Sequence, residues 1–320
     1  MIRFNITILT LVWALLQPHI GSWTGLTVPG AHAWPTPKNW LPHFKSQRPH
    51  HDFAKRNFNT ISSIYNLTVY PNQLPIFQYG GAGVPDGLFS HKVVGRVDPV
   101  GNFTDFEGSI EYFFALAPLP QGNAAKAAIT SYQITEFSSQ CPGVAASVVY
   151  LHCSVVNPGA PDHGKPLPPL KQVAFWKFDH KGAVLKYDAW IPNLNSWVKS
   201  TTGLNADNAQ FRAASIEQIC GATQLRCQGN NTQWNSTEEC VATLSQKDYG
   251  SYDEAWGDNI VCRSIHVVLT QVRPDDHCPH VGPTGGGKCV NIDYPTNYFS
   301  DKQLYQQPTG HTFMCDDHDH

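Results

Sequence analysis

Between Cys262 and Cys289 the chain places His266, His277 and His280 among Cys262, Cys278 and Cys289, with Arg263, Arg273 and the glycine run Gly285-Gly-Gly287. Imidazole nitrogens are ligands for divalent transition metals, and three of them can share one ion when the fold brings them together. The His277-x-x-His280 spacing suits that chemistry, and Asp258 or Asp276 could add an oxygen ligand. The spacing matches no His-Glu-x-x-His helix, and Pro279 argues against a regular helix between the two histidines. The alternative is structural: a stapled knot in which Cys278 and Cys289 close a turn over Gly282-Pro-Thr-Gly-Gly-Gly-Lys288. That run is not a phosphate loop, because Cys289 stands where the Ser or Thr after the lysine is needed.

The compartment bears on the cysteines. Arg3 followed by the apolar run Ile6–Leu16 has the layout of a secretory signal peptide over residues 1–22, with cleavage possible as late as Ala33. Four acceptor sequons follow, at Asn66, Asn102, Asn230 and Asn235. With nine cysteines in the chain, these point to a secreted glycoprotein whose cysteines form disulfides. Cys141, Cys153, Cys220, Cys227, Cys240, Cys262, Cys278 and Cys289 are the expected half-cystines. The odd count leaves one over, and Cys315 in the terminal Cys315-Asp-Asp-His-Asp-His320 is the expected free thiol. A net charge of -3 and 15% charged residues give no electrostatic surface for nucleic acid, and the leader is too short for stable membrane insertion. The expected partner is a small organic molecule.

Residues 23–50 are a Pro-, Trp- and His-rich arm. Helical spacing follows at Phe53, Phe58, Ile61, Ile64 and Tyr65. A strand is expected over 91–97, a turn into a helix over 101–114, and then strands over 129–137, 146–156, 172–178 and 183–191. The last two are joined by the turn Asp179-His-Lys-Gly182. Helix, strand, helix and a four-stranded meander define an α+β domain over 51–200 in which a curved antiparallel sheet wraps helices. A cysteine-rich extension occupies 201–320, with helices expected over 207–220, 236–244 and 260–269.

The segment Val173-Ala-Phe-Trp-Lys-Phe-Asp-His-Lys-Gly182-Ala-Val-Leu-Lys-Tyr-Asp188-Ala-Trp190 resembles the final hairpin of the NTF2-like, or SnoaL-like, cone fold. Gly101 to Phe114 is similar to that fold's glycine-then-helix segment, and the whole layout is similar to that of secreted fungal proteins with a cysteine-rich C-terminus. The resemblance implies an apolar pocket between sheet and helices. It also implies a cofactor-free lyase or isomerase step in which inward-facing Asp, His and Tyr residues act as general acid and base. The candidates are Asp188, His152, Tyr132, Tyr112 and His91. Strand parity sets a condition on the first: Leu185, Tyr187 and Ala189 share one face, so if that apolar set faces the pocket, Asp188 points away. His152, between Leu151 and Cys153, is open to the same alternative, a hydrogen-bonded sheet residue. Beside the enzyme stand two other classes: a non-enzymatic secreted binding or cell-surface protein, and a metalloprotein using His266, His277 and His280. No cofactor is required by the motifs, and a divalent metal is the one they could hold.

Overall fold

In the first helix, α1 (Asp52–Leu67), Ile61, Ile64 and Tyr65 recur at helical spacing and are fully buried, so one stripe of the helix must face a partner. That partner is a six-stranded sheet. In the computed structural model, which describes residues 52–120, 125–202, 206–298, 300–308 and 310–315, the strands are β1 (Phe89–Asp98), β2 (Gly101–Phe103), β3 (Ala127–Cys141), β4 (Val144–Val155), β5 (Pro166–Phe178) and β6 (Val184–Trp190). The expected leader, the arm and the Asp316–His320 tail lie outside the described residues. The sheet order is β2-β1-β6-β5-β4-β3. β1 and β6 run parallel, while the β1–β2, β3–β4, β4–β5 and β5–β6 pairs are antiparallel.

Alternation decides which face is covered. Along β4, Ala145, Ser147, Val149, Leu151, Cys153 and Val155 are buried and the residues between them are not. The buried face curves around α1, the short helix α2 (Leu74–Tyr79) and α3 (Phe106–Ile110), which runs on as a π-helical turn over Glu111–Ala115. Its interior is filled with rings. Phe113 lies 4.9 Å from Tyr187 and 5.9 Å from Trp176, and Trp176 lies 6.1 Å from Tyr65. The polar tips are satisfied within the core, Trp176 Nε1 donating to Ser147 Oγ at 2.9 Å and the Tyr187 hydroxyl to Ser109 Oγ at 3.1 Å. The β5–β6 hairpin closes because Asp179 Oδ1 accepts from the Lys181 and Ala183 amides. Gly182 sits at φ +91° with the Arg56 side chain 2.7 Å from where a Cβ would be. The result is an α+β cone, a curved sheet wrapped around helices.

The cysteine-rich extension is built on helices whose starts are read from single residues. α4 (Leu194–Thr202) leaves the sheet, followed by α5 (Ala209–Arg226), α6 (Thr237–Leu244) and α7 (Ile260–Leu269). Asn208, Ser236 and Asn259 cap α5, α6 and α7, each side-chain oxygen accepting from an amide in the first turn. α8 (Pro274–Val281), α9 (Tyr294–Tyr298) and α10 (Asp301–Tyr305) complete the chain. α8 corrects the expectation drawn from Pro279, which lies inside it. The missing proline N–H removes one intrahelical bond from a short helix, and Cys278, bonded to Cys227, anchors α8 from outside.

The disulfides are Cys141–Cys315, Cys220–Cys240, Cys227–Cys278 and Cys262–Cys289. Cys315 is therefore bonded and Cys153 is the free thiol, the reverse of the expectation. The reason is the same alternation: Cys153 points into the cone, buried to 2%, where burial pushes its thiol up to about 12 and keeps it unreactive. Cys315 reaches Cys141 because the C-terminal segment is tied across the outer face of the sheet. Lys186 Nζ donates to Tyr305 O at 2.6 Å, and the Tyr305 hydroxyl donates to Tyr187 O at 3.0 Å. Nor do Cys278 and Cys289 pair with each other: Gly285-Gly-Gly287 turns back over α8, and a Cβ at Gly286 (φ +53°) would lie 2.6 Å from the Pro279 carbonyl carbon. The run is a tight structural turn. Of the sequon asparagines, Asn66, Asn230 and Asn235 are exposed, whereas the half-buried Asn102 donates its amide to Ser300 Oγ at 3.2 Å.

Candidate catalytic junction between cone and extension

α7 carries His266 near its C-terminal end, and α8 carries His277 and His280 three residues apart, hence on one face. α7 packs on α8, and the three rings meet. His266 Nδ1 lies 3.3 Å from His277 Nδ1 and 3.2 Å from His280 Nδ1. Ligand nitrogens of all three lie within 4.8 Å of one another. The Cys262–Cys289 disulfide borders the cluster beside His266.

The far side of the cluster is supplied by the cone. Glu111, in the π-helical turn after α3, is 2% exposed, and its carboxylate receives Arg273 Nε at 2.6 Å, a second Arg273 nitrogen at 2.7 Å and His277 Nε2 at 2.9 Å. Burial pushes the Glu111 carboxyl up, but the Arg273 and His277 hydrogen bonds outweigh it and hold the group below the usual carboxylate range. An ionised carboxylate only accepts, so His277 Nε2 carries the proton it donates, and its Nδ1 faces His266. Burial, reinforced by the neighbouring rings, lowers His266 well below the ordinary histidine value and His280 to about 4. At neutral pH those two rings are uncharged and their lone pairs are available. His266 and His280 are half-buried.

Among the residues singled out from the sequence, the three histidines are brought together and the five cone candidates are not. Asp188 is on the outer face of β6, bound to Arg96 Nε at 3.2 Å, while Arg96 also pairs with Asp301 at 3.0 Å. The buried set is Tyr187 and Ala189, so the parity condition resolves to an outward Asp188. His152 lies on the outer side of β4, between inward Leu151 and Cys153. Tyr132 shares a 2.7 Å hydrogen bond with Ser62, Tyr112 is buried against Phe103 at 4.6 Å, and His91 is exposed and lies against Phe106 at 4.9 Å. Asp258 pairs with Lys247 and Arg263, and Asp276 with Arg273. Glu111 is the residue that sequence reasoning missed. Its signal was a lone carboxylate in the apolar run Ile110-Glu-Tyr-Phe-Phe114, since a charge that enters a buried face needs a partner.

Comparison with known proteins matches two family models, which overlap at β6. Residues 64–189 match the BfoA N-terminal domain and residues 183–292 match the BfoA family C-terminal domain. The chain is 31% identical over 218 residues to the Aurasperone B biosynthesis cluster protein A of Aspergillus niger, covering 64% of this chain and 68% of that protein. It is 30% identical over 218 residues to the Bifonsecin B biosynthesis cluster protein A of Aspergillus brasiliensis, covering 64% and 70%. Among solved structures, a protein from Jannaschia described as a SnoaL-like polyketide cyclase overlaps 49% of this chain and 97% of its own, at 10% identity and a TM-score of 0.32. A ketosteroid isomerase-like protein from Erwinia carotovora overlaps 44% and 98%, at 7% identity and a TM-score of 0.28.

Proposed function

We propose a role for the junction on one premise: the chain belongs to the BfoA family. Relatives in that family are named for fungal biosynthetic clusters, and the role is an isomerase- or cyclase-class step on a small-molecule intermediate of such a pathway. The observation that carries this proposal is the meeting of Glu111 from the cone with His266, His277 and His280 from the extension. Electron-pair donors aimed at one point, with a buried ionised carboxylate behind them, can take a proton from the carbon beside a carbonyl group. The reaction is placed at this junction because the interior of the cone is taken up by Tyr65, Phe113, Trp176 and Tyr187. The protein works in the secretory pathway or beyond it, as four disulfides and the leader-like N-terminus suggest. Among the described residues no helix is long and apolar enough to cross a membrane.

An isomerase, or a cyclase that closes its ring by addition without losing water, conserves mass, which gives a direct test of this class of step. Disruption of the gene in its host should accumulate a metabolite isomeric with the missing product, and re-expression of the wild-type protein, but not of E111Q, should restore the product. An unchanged metabolite profile, or an accumulated precursor of different mass, would sink the proposal.

A further inference from the structure

We propose that His266, His277 and His280 bind one divalent metal ion through their Nδ1 atoms, in a tetrahedral site of the zinc class with its fourth position open, and that Glu111 is its positioning residue. The inference uses the same side chains as the preceding role but does not depend on the reaction assigned to them. Distances carry the first part. With metal–nitrogen bonds of about 2.0–2.1 Å, two ligands of a tetrahedral ion stand roughly 3.3–3.4 Å apart. The His266–His277 and His266–His280 Nδ1 pairs are 3.3 and 3.2 Å apart. Neighbouring ligands of a square-planar ion would be nearer, about 2.9 Å, so the geometry favours zinc or cobalt over copper(II).

Proton counting carries the second part. His277 donates its Nε2–H to Glu111 and turns its Nδ1 toward His266. His266 Nδ1 can offer one proton to His277 or one lone pair to His280, so it cannot fully satisfy both neighbours at once. A cation at the centre takes three lone pairs together and removes the conflict. The third part is the carboxylate. Metal-bound histidines characteristically donate the other ring nitrogen to a carboxylate or carbonyl, which fixes the tautomer and raises ligand basicity. Glu111 does this for His277 from another domain, and Arg273 holds the carboxylate from the extension side. Among the described residues three protein ligands gather here without a fourth, the pattern of a metal that works on a ligand rather than one that only staples a fold. The Cys262 and Cys289 sulfurs beside His266 are committed to their disulfide and offer no thiolate.

The full-length secreted protein, purified without chelators, is expected to contain about one zinc per chain by elemental analysis. After chelation and dialysis it should take up cobalt(II) with the visible bands of a tetrahedral ion. E111Q should weaken the metal about 10- to 100-fold in competition with a chromophoric chelator, and H280Q should abolish it. Near-ultraviolet circular dichroism shows whether each variant is folded. A merely structural Glu111 would lower the thermal midpoint without moving metal affinity. Wild-type protein that is folded yet takes up neither zinc nor cobalt overturns the proposal, as does metal uptake unchanged in a folded H280Q. The two inferences fail separately: metal bound without a mass-conserving block in the disruption strain overturns the isomerase role and leaves the centre, whereas a wild-type chain that restores the product yet takes up neither zinc nor cobalt does the opposite.

Discussion

In the cone, Trp176, Tyr187, Tyr65 and Phe114 are each fully buried against one another or the sheet, and the only cysteine in that core, Cys153, is a free thiol. In the extension the core cluster is smaller in its side chains, and Cys220, Cys227, Cys240 and Cys278 are themselves members of it, bonded in pairs. The cone buries enough aromatic surface to stand on packing, while a helical segment with few large apolar residues is held by cross-links. The difference teaches where chemistry can be placed. The interior of the cone is lined by buried rings, and a stapled helix pair offers rigid positions at its rim. The histidines stand on the stapled side and the carboxylate on the packed side.

Three measurements would break or sharpen this contrast. The largest expected effect is on the cross-links: removing the pair with C227A and C278A, which closes a 51-residue separation, should destabilise the extension by about 4 kcal/mol. The near-ultraviolet signal of Trp176 in the cone should persist at temperatures where the extension has melted, and simultaneous loss of both would show that the two regions fold as one unit. An intermediate effect is expected from acid. At Asp258 burial raises the carboxyl pKa, but hydrogen bonds from Lys247 and Arg263 outweigh it and hold the group below its ordinary value. A depressed folded pKa means that this stabilisation is present above about pH 4, the unfolded value, and fades as pH falls further. The urea midpoint of the extension should drop below about pH 4, and D258N should flatten that dependence. The smallest effect is expected at the outer face of the sheet. D188N should cost about 1 kcal/mol by weakening the Arg96 contact, with no change in metal content or product. A large loss of product in D188N at unchanged stability would return the chemistry to the cone.

Much of the architecture is legible in the chain. α7 spans Ile260–Leu269, the range expected from its apolar spacing, and the β5–β6 hairpin turns at Asp179–Gly182 as its residue types demand. The α+β order of helix, strand, helix and meander carries directly into the cone. The same local rules failed at Cys315, where a terminus was expected to be free and instead is tied to Cys141 across a separation of 174 residues. They also left open which side of β6 faces inward, which the packing of Tyr187 decided against Asp188.

By itself the sequence determined the main helices and strands, the helix start at Ser236 and the presence of three histidines close together along the chain. Each of these depends on neighbours within a few residues, through backbone propensity, side-chain period or capping. Only the tertiary structure decided that His277 meets Glu111, 166 residues away, and that three Nδ1 atoms gather at one point. That convergence is set by how α7 and α8 dock on the cone's π-helical turn under two disulfides, and no local rule encodes a distance across that docking.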